Sequence, residues 1–312
     1  PDSSKLHQLD GMISSTSGDY ENAIKKFKKA LGLNPNNIEI IYNMGLVYYE
    51  CKEYEKTIEN LKKVINLKPD FYEAHNTIGL AHKYNGNLTQ AKESFEKAIN
   101  IDGLGRTEGH YNLANILYQN GELELAKASF VKTIEINPNN ISALNNLGNV
   151  YREKKDYENA IKYYNKAKEI DPNNSEVYLN IGQVFHLKKE YRIAENHFVK
   201  ALERSNNKKI KSKAYSDMGV TLRCVGENEK AIMHFIQSIR IDPENDQSYY
   251  NLSTCLKGAV FKENIEGLSD IIIEIIKRKI TRPSDLVHTA ISIIMINPVM
   301  ERLVKEYVKE KN

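Results

Sequence analysis

Along the chain, short amphipathic segments alternate with polar turns, and the apolar positions recur at spacings of three and four residues. Leu144, Leu147 and Tyr151 fall on one helical face, and Ala160, Tyr164 and Ala167 fall on one face of the next segment. That period predicts α-helices carrying one buried stripe each. Turn signals separate them: Asn34-Pro35-Asn36-Asn37, Asn137-Pro138-Asn139-Asn140 and Asp171-Pro172-Asn173-Asn174. Proline cannot continue the preceding helix, and asparagine readily caps the following one. The expected class is all-α, with no strand.

The segments are also copies of one another, and such self-similarity organises everything else. Around Gly148 stands Leu144-x-x-Leu147-Gly148-x-x-Tyr151, then Ala160-x-x-x-Tyr164-x-x-Ala167, then Pro172. A shift of 34 residues brings Tyr178, Ile181, Gly182, Phe185, Ala194, Phe198 and Ala201 into register. Gly45, Gly79 and Gly219 occupy the same position as Gly148 and Gly182. Glycine inside a helix costs about 1 kcal/mol relative to alanine. Its recurrence therefore predicts that two helices approach closely there. The pattern divides residues 1–257 into units at 4–37, 38–71, 72–105, 107–140, 141–174, 175–208 and 212–245, with a partial unit from 246. Extra residues occur only at 106 and 209–211, where helix pairs join. The first copy is imperfect, with His7 and Ser14 at its aromatic positions.

These residues resemble the signature of the tetratricopeptide-repeat (TPR) family. That signature places a large residue, Leu-Gly and an aromatic on helix A, then Ala, an aromatic and Ala on helix B, then Pro. The resemblance covers about residues 4 to 257. It implies a right-handed superhelical solenoid of stacked antiparallel helix pairs, each burying its stripe against its neighbours. Residues 258–312 leave the repeat, and two readings stand: a C-terminal helical cap, or the start of a further domain. Pro1 falls where the last proline of a preceding repeat would sit, which points to a longer array.

Charge narrows the partners. Lys and Arg number 44 against 41 Asp and Glu, a net charge of +3. Nucleic-acid binding usually needs a clear basic excess, because phosphate neutralisation supplies much of the affinity. No nucleic-acid partner is expected. The local basic stretch Lys208, Lys209, Lys211 and Lys213 reads as a solvated loop. The longest apolar stretch, Leu286 to Ile296, is interrupted by His288, Thr289 and Ser292 and is short of the roughly 20 residues of a membrane helix. No membrane partner is expected either. Cys51, Cys224 and Cys255 stand far apart, outside any ligand spacing, which suggests a reducing, cytoplasmic setting.

Candidate chemistry is sparse. Gly103 to Gly109 is glycine-dense, but its third glycine is one residue late for a dinucleotide fingerprint and the segment stands where a turn belongs. His75 and His82 lie seven apart and invite a metal reading, yet they and His110 occupy large packing positions of helix A. No catalytic residue, metal site or cofactor is expected.

The remaining signal lies on helix A. Helix A of a TPR lines the concave surface, and repeat position 6 holds Asn43, Thr77, Asn112, Asn146, Asn180, Asp217 and Asn251. Stacking would align them in one file. An asparagine amide both donates and accepts, so the file suits the backbone of an extended peptide. It resembles the asparagine ladder of O-linked N-acetylglucosamine transferase TPRs. Asn115, Asn149 and Gln183 at position 9 extend the polar wall, and Tyr42, Tyr49, Tyr111, Tyr118 and Tyr250 offer flat surfaces beside it. Arg152, His186 and Arg223 are expected to add positive charge. The carboxylate clamp for heat-shock chaperone tails wants Lys at position 5 and Arg at position 6. Position 5 here is Gln8, Tyr42, Asn76, Tyr111, Asn145, Leu179, Ser216 and Tyr250, so that partner is disfavoured.

The expected function is a protein-interaction scaffold binding an extended polypeptide segment. The alternative is the recognition array of a larger glycosyltransferase or methyltransferase with its catalytic domain outside this chain. An RNA-binding helical repeat fits less well, given the Gly/Ala/aromatic signature and balanced charge. Oligomeric state stays open.

Overall fold

The computed structural model describes residues 3–102 and 105–257, so the cap or further domain expected at 258–312 lies outside them. Described residues form fifteen α-helices and no strand. In order these are α1 Ser3–Thr16, α2 Tyr20–Leu33, α3 Ile38–Glu50, α4 Tyr54–Leu67 and α5 Tyr72–Tyr84. Then come α6 Leu88–Asp102, α7 Thr107–Gln119, α8 Leu123–Ile136, α9 Ile141–Glu153 and α10 Tyr157–Ile170. The last are α11 Ser175–Leu187, α12 Tyr191–Arg204, α13 Lys208–Cys224, α14 Asn228–Ile241 and α15 Asp246–Lys257.

Short polar side chains start many of these helices. Asn37 accepts from the Ile40 N–H at 3.1 Å, Asn140 from Ala143 at 2.9 Å and Asn174 from Val177 at 3.2 Å. Asp19 and Asp156 cap α2 and α10 in the same way. Each bond satisfies one of the four orphan donors of a helix start, which stabilises the helix by about 1 kcal/mol.

The chain packs as two compact units that divide within α9, between Val150 and Tyr151. In each unit, successive helices pack against each other, and odd-numbered helices also reach the next odd helix, as α3 reaches α5 and α11 reaches α13. The even helices supply the centre of the core. Ala23, Phe27 and Ala30 of α2, Ala91, Phe95 and Ala98 of α6, and Ala194, Phe198 and Ala201 of α12 are all fully or almost fully buried.

The recurring glycine explains how the helices come so close. A Cβ built on Gly182 would stand 2.6 Å from Cε1 of Phe198, nearer than real side chains approach. The aromatic ring takes the place of the missing side chain. In α3 and α4 a leucine does the same, with Leu61 Cδ2 at 2.7 Å from the position a Cβ on Gly45 would take.

Two features depart from the sequence reading or add to it. Lys208 to Lys213 are helical and open α13, which is longer than the other odd helices of its unit; they are not a loop. Asn207 Oδ1 accepts from the Lys209 N–H at 2.9 Å, so the cap has moved upstream and the added residues lengthen the helix. The tight turns within the helix pairs need a left-handed residue. Gly18, Gly86, Gly121 and Gly226 supply it, but Lys52, Lys155 and Lys189 hold φ near +61 to +62°.

These contacts set two expectations for unfolding. Gly182→Leu should destabilise the chain by about 3 kcal/mol through overpacking against Phe198. The exposed Arg192→Ala on α12 should stay within about 0.5 kcal/mol. Equal melting temperatures for the two would contradict the packing role of Gly182. Lys189→Gly should instead stabilise, by about 0.5 kcal/mol, because the left-handed penalty of a non-glycine residue exceeds the added chain entropy of glycine. Urea titration measures it, and a lowered midpoint would refute the strain.

Candidate functional site

Where alternate odd helices touch, their polar side chains meet. In the first unit Asn112 Nδ2 donates to Asn76 Oδ1 at 3.0 Å, and Asn146 Nδ2 donates to Asn115 Oδ1 at 2.9 Å. Asn146 also lies 3.4 Å from the Tyr111 hydroxyl, and Asn149 Nδ2 reaches Asn146 Oδ1 at 3.5 Å. Asn115 Nδ2 donates to the Tyr111 carbonyl one turn back, at 2.9 Å. Thr77 is nearly buried and hydrogen-bonds the Tyr42 hydroxyl, whose pKa is raised chiefly by burial. Asn43 is half-buried on α3. Position 6 amides thus form rungs from helix to helix, Asn112 reaching the position 5 amide of Asn76 and Asn146 the position 9 amide of Asn115. Each asparagine has two N–H donors and an oxygen with two lone pairs, so one rung leaves capacity over.

The second unit builds a charged version. Arg152 Nη1 donates to Gln183 Oε1 at 2.7 Å and reaches Asn180 Oδ1 at 3.5 Å. Gln183 Nε2 passes a bond on to Asp217 Oδ2 at 2.7 Å. Burial raises the Asp217 pKa, while the Gln183 bond and the charges of Lys213 and Arg152 oppose that rise. Arg223 Nη1 donates to Thr254 Oγ1 at 2.6 Å, and Asn251 Nδ2 lies 3.4 Å from Ser216 Oγ. Asn180 and Asn251 are only 5 % and 6 % exposed, so they act mainly within the helix stack.

Two surface features stand beside the rungs of the first unit. Tyr49, Tyr54 and Tyr84 form an aromatic cluster, with Tyr54 and Tyr84 stacked at 5.8 Å. Burial, with the neighbouring Tyr84 and Tyr54 phenols, pushes the Tyr49 hydroxyl up to about 12. Of the three, the sequence pattern points only to Tyr49; Tyr54 opens an even helix and Tyr84 ends an odd one. The second feature is a cleft of about 470 Å³ lined by residues including Tyr42, Tyr72, Asn76, Thr77 and Arg106. There the Arg106 guanidinium sits 4.6 Å from the Tyr72 ring and pairs with Glu73, and the Tyr72 hydroxyl accepts the Gly109 N–H at 2.8 Å.

The histidines correct one expectation. His186 was expected to carry positive charge, but burial lowers its pKa below the ordinary 6.5. Thr221 Oγ1 already donates to the Asp217 carbonyl at 2.8 Å, so it accepts from His186 Nδ1–H at 2.9 Å. A neutral ring with its proton on Nδ1 fits that geometry, leaving Arg152 and Arg223 as the cations. His75 is nearly buried, and its Nε2 donates to the Pro69 carbonyl at 2.9 Å. No cluster of three or more metal-ligating side chains occurs among the described residues. No helix among them is long and apolar enough to cross a membrane.

Known repeat proteins match this succession of helix pairs. Sequence profiles of the tetratricopeptide repeat match residues 141–174, 72–103 and 175–208, and a further TPR profile matches 16–51, 45–86 and 114–153. Together they cover more than half of the chain. It belongs to the tetratricopeptide-repeat family. Among solved structures, this TPR chain is similar to MamA, at 28 % identity and a TM-score of 0.51, over 56 % of this chain and 95 % of that one. YrrB, a TPR protein with an unusual peptide-binding site, shares the fold at 21 % identity and a TM-score of 0.51, over 59 % of this chain and 94 % of its own. A TPR protein from Parabacteroides merdae shares it at 14 % identity and a TM-score of 0.65, over 82 % and 100 %. Comparison with curated proteins finds no match.

The buried histidines predict an acid-sensitive TPR array. His197 stacks on Phe185 at 5.5 Å, and burial, with the charges of Lys200 and Lys168, lowers its pKa to about 4. An unfolded histidine titrates near 6.5, so between about pH 6.5 and pH 4 the unfolded chain gains a proton that the folded one refuses. Stability is therefore unaffected by this group above that window and falls as the pH drops through it. Melting temperatures across pH 7 to 4.5 should decline, and His197→Phe should flatten part of the decline. An unchanged slope would show that His197 is not desolvated.

Proposed function

We propose that the chain is a protein-interaction scaffold whose odd-helix faces bind an extended segment of a partner polypeptide. The carrying observation is the set of amide rungs, Asn112 to Asn76 and Asn146 to Asn115, which hold half-buried amides in fixed positions along successive helices. A peptide backbone offers an N–H and a carbonyl at each residue, and a fixed amide can meet both. Ordering these side chains in advance lowers the entropy cost of binding. The resemblance to the asparagine ladder of O-linked N-acetylglucosamine transferase TPRs motivates the same reading, as does the peptide-binding site of the similarly folded YrrB. The proposed contacts run over Asn43, Thr77, Tyr111, Asn112, Asn115, Asn146 and Asn149 in one unit. In the other they run over Arg152, Gln183, His186, Asp217 and Arg223, with the buried Asn180 and Asn251 holding the stack behind them. Three free cysteines, Cys224 exposed among them, fit a reducing cytoplasmic setting.

An array of randomised decapeptides tests the proposal. Asn112→Ala, Asn115→Ala and Asn146→Ala should each weaken retained peptides a few-fold, at roughly 0.5–1.5 kcal/mol per hydrogen bond. The triple variant should weaken them more than about tenfold, alike for unrelated sequences, because backbone contacts ignore side chains. Peptides held equally well by the folded triple variant would place recognition on another surface.

A further inference from the structure

The second unit contains a cavity that the amide file does not explain. It measures about 270 Å³ and is lined by Arg152, Gln183, His186, Leu187, Phe198, Asp217 and Val220. Its polar wall is bonded in part to neighbouring groups. Arg152 donates to Gln183, Gln183 donates to Asp217, and His186 donates to Thr221. The apolar part of the lining is the half-buried Val220 and Leu187, which is 48 % exposed, together with the ring of Phe198, which is fully buried. Such surface gains free energy when it leaves water. The volume lies below the roughly 300–1,000 Å³ of small-molecule sites, so it suits one side chain better than a cofactor.

The position of the cavity in the repeat names the source of that side chain. Val220 stands where the three preceding copies carry Asn115, Asn149 and Gln183 and the two before them Leu46 and Leu80, so the run of amides ends at this cavity. Leu187 follows His186 at the end of α11, on the rim. A peptide lying along the rungs would pass over this opening. We propose that the cavity is an anchor pocket for one aliphatic side chain, of the leucine, isoleucine or methionine kind, carried by the extended partner. The inference rests on the peptide-binding reading above and adds sequence preference to it. Backbone rungs alone accept any sequence, whereas this pocket selects a residue at one position. A polar side chain there would lose water against Leu187 and Val220, which offer it no hydrogen-bond partner.

The test uses the same decapeptide array, followed by fluorescence anisotropy on the best dye-labelled peptide. Bound peptides should share an aliphatic residue at one fixed position. Replacing that residue by asparagine should weaken binding more than about tenfold. In Leu187→Gln and Val220→Asn proteins the same replacement should cost less than about threefold. Leu187 is half exposed, so its variant keeps the test valid if Val220→Asn fails to fold. Bound peptides without a fixed aliphatic position, or a full penalty in the Leu187→Gln protein, would overturn the pocket and leave the backbone reading standing. An array from which the wild type retains no peptide would overturn both.

Discussion

Every other feature depends on how closely the two helices of a pair can approach. Gly182 presents no side chain, and the Phe198 ring fills the space a Cβ would need. Ala194 and Ala201, one turn either side of Phe198, are fully buried and keep the rest of the seam narrow. The exchange is a helix-interior glycine, costing about 1 kcal/mol, for dense contact around a large ring. A wider spacing would leave a cavity beside the aromatic, and cavities in such cores are expensive.

That spacing also decides what the odd helices can do. With each pair thin, alternate odd helices come within side-chain reach of one another, as α5 and α7 do. Short amides can then bridge them, and Asn112 meets Asn76 at 3.0 Å. Longer separations would demand longer, more flexible side chains with more rotamer entropy to lose. The rungs therefore stabilise the stack and fix the geometry of the proposed binding face in one step. Part of each amide's bonding capacity is spent inside the protein, and the remainder is better oriented for it.

The helical class was legible because two periodicities agree, the three-and-four spacing within segments and the 34-residue spacing between them. Turn chemistry was legible too, since Asn37, Asn140 and Asn174 stand just before helices and cap them. The lysine stretch at 208–213 misled because charge density resembles a loop, while the cap that decides the matter is a single asparagine upstream. Register predicted which amides share a face. It could not show that they bond to each other, because bonding depends on distances of a few tenths of an ångström. The lowered pKa of His186 was equally hidden: burial, not residue type, shifts it. Val220 carried a signal that could have been found, as an apolar residue following three amides at the same repeat position.

The two units use one scaffold to different ends. The first joins its odd helices by neutral amide-to-amide bonds, whereas the second runs a relay from Arg152 through Gln183 to Asp217. The Arg152 side chain is only 16 % exposed, so its charge is costly to bury without partners, and neutral amides supply most of them. Asp217 is similarly desolvated, and Gln183 stands between the two as donor to one and acceptor from the other. A glutamine is the one amide side chain long enough here to span both, where the two preceding copies carry asparagine at that position, Asn115 and Asn149. The apolar surface beside this relay is the one proposed above to select a partner by shape and water exclusion rather than by charge.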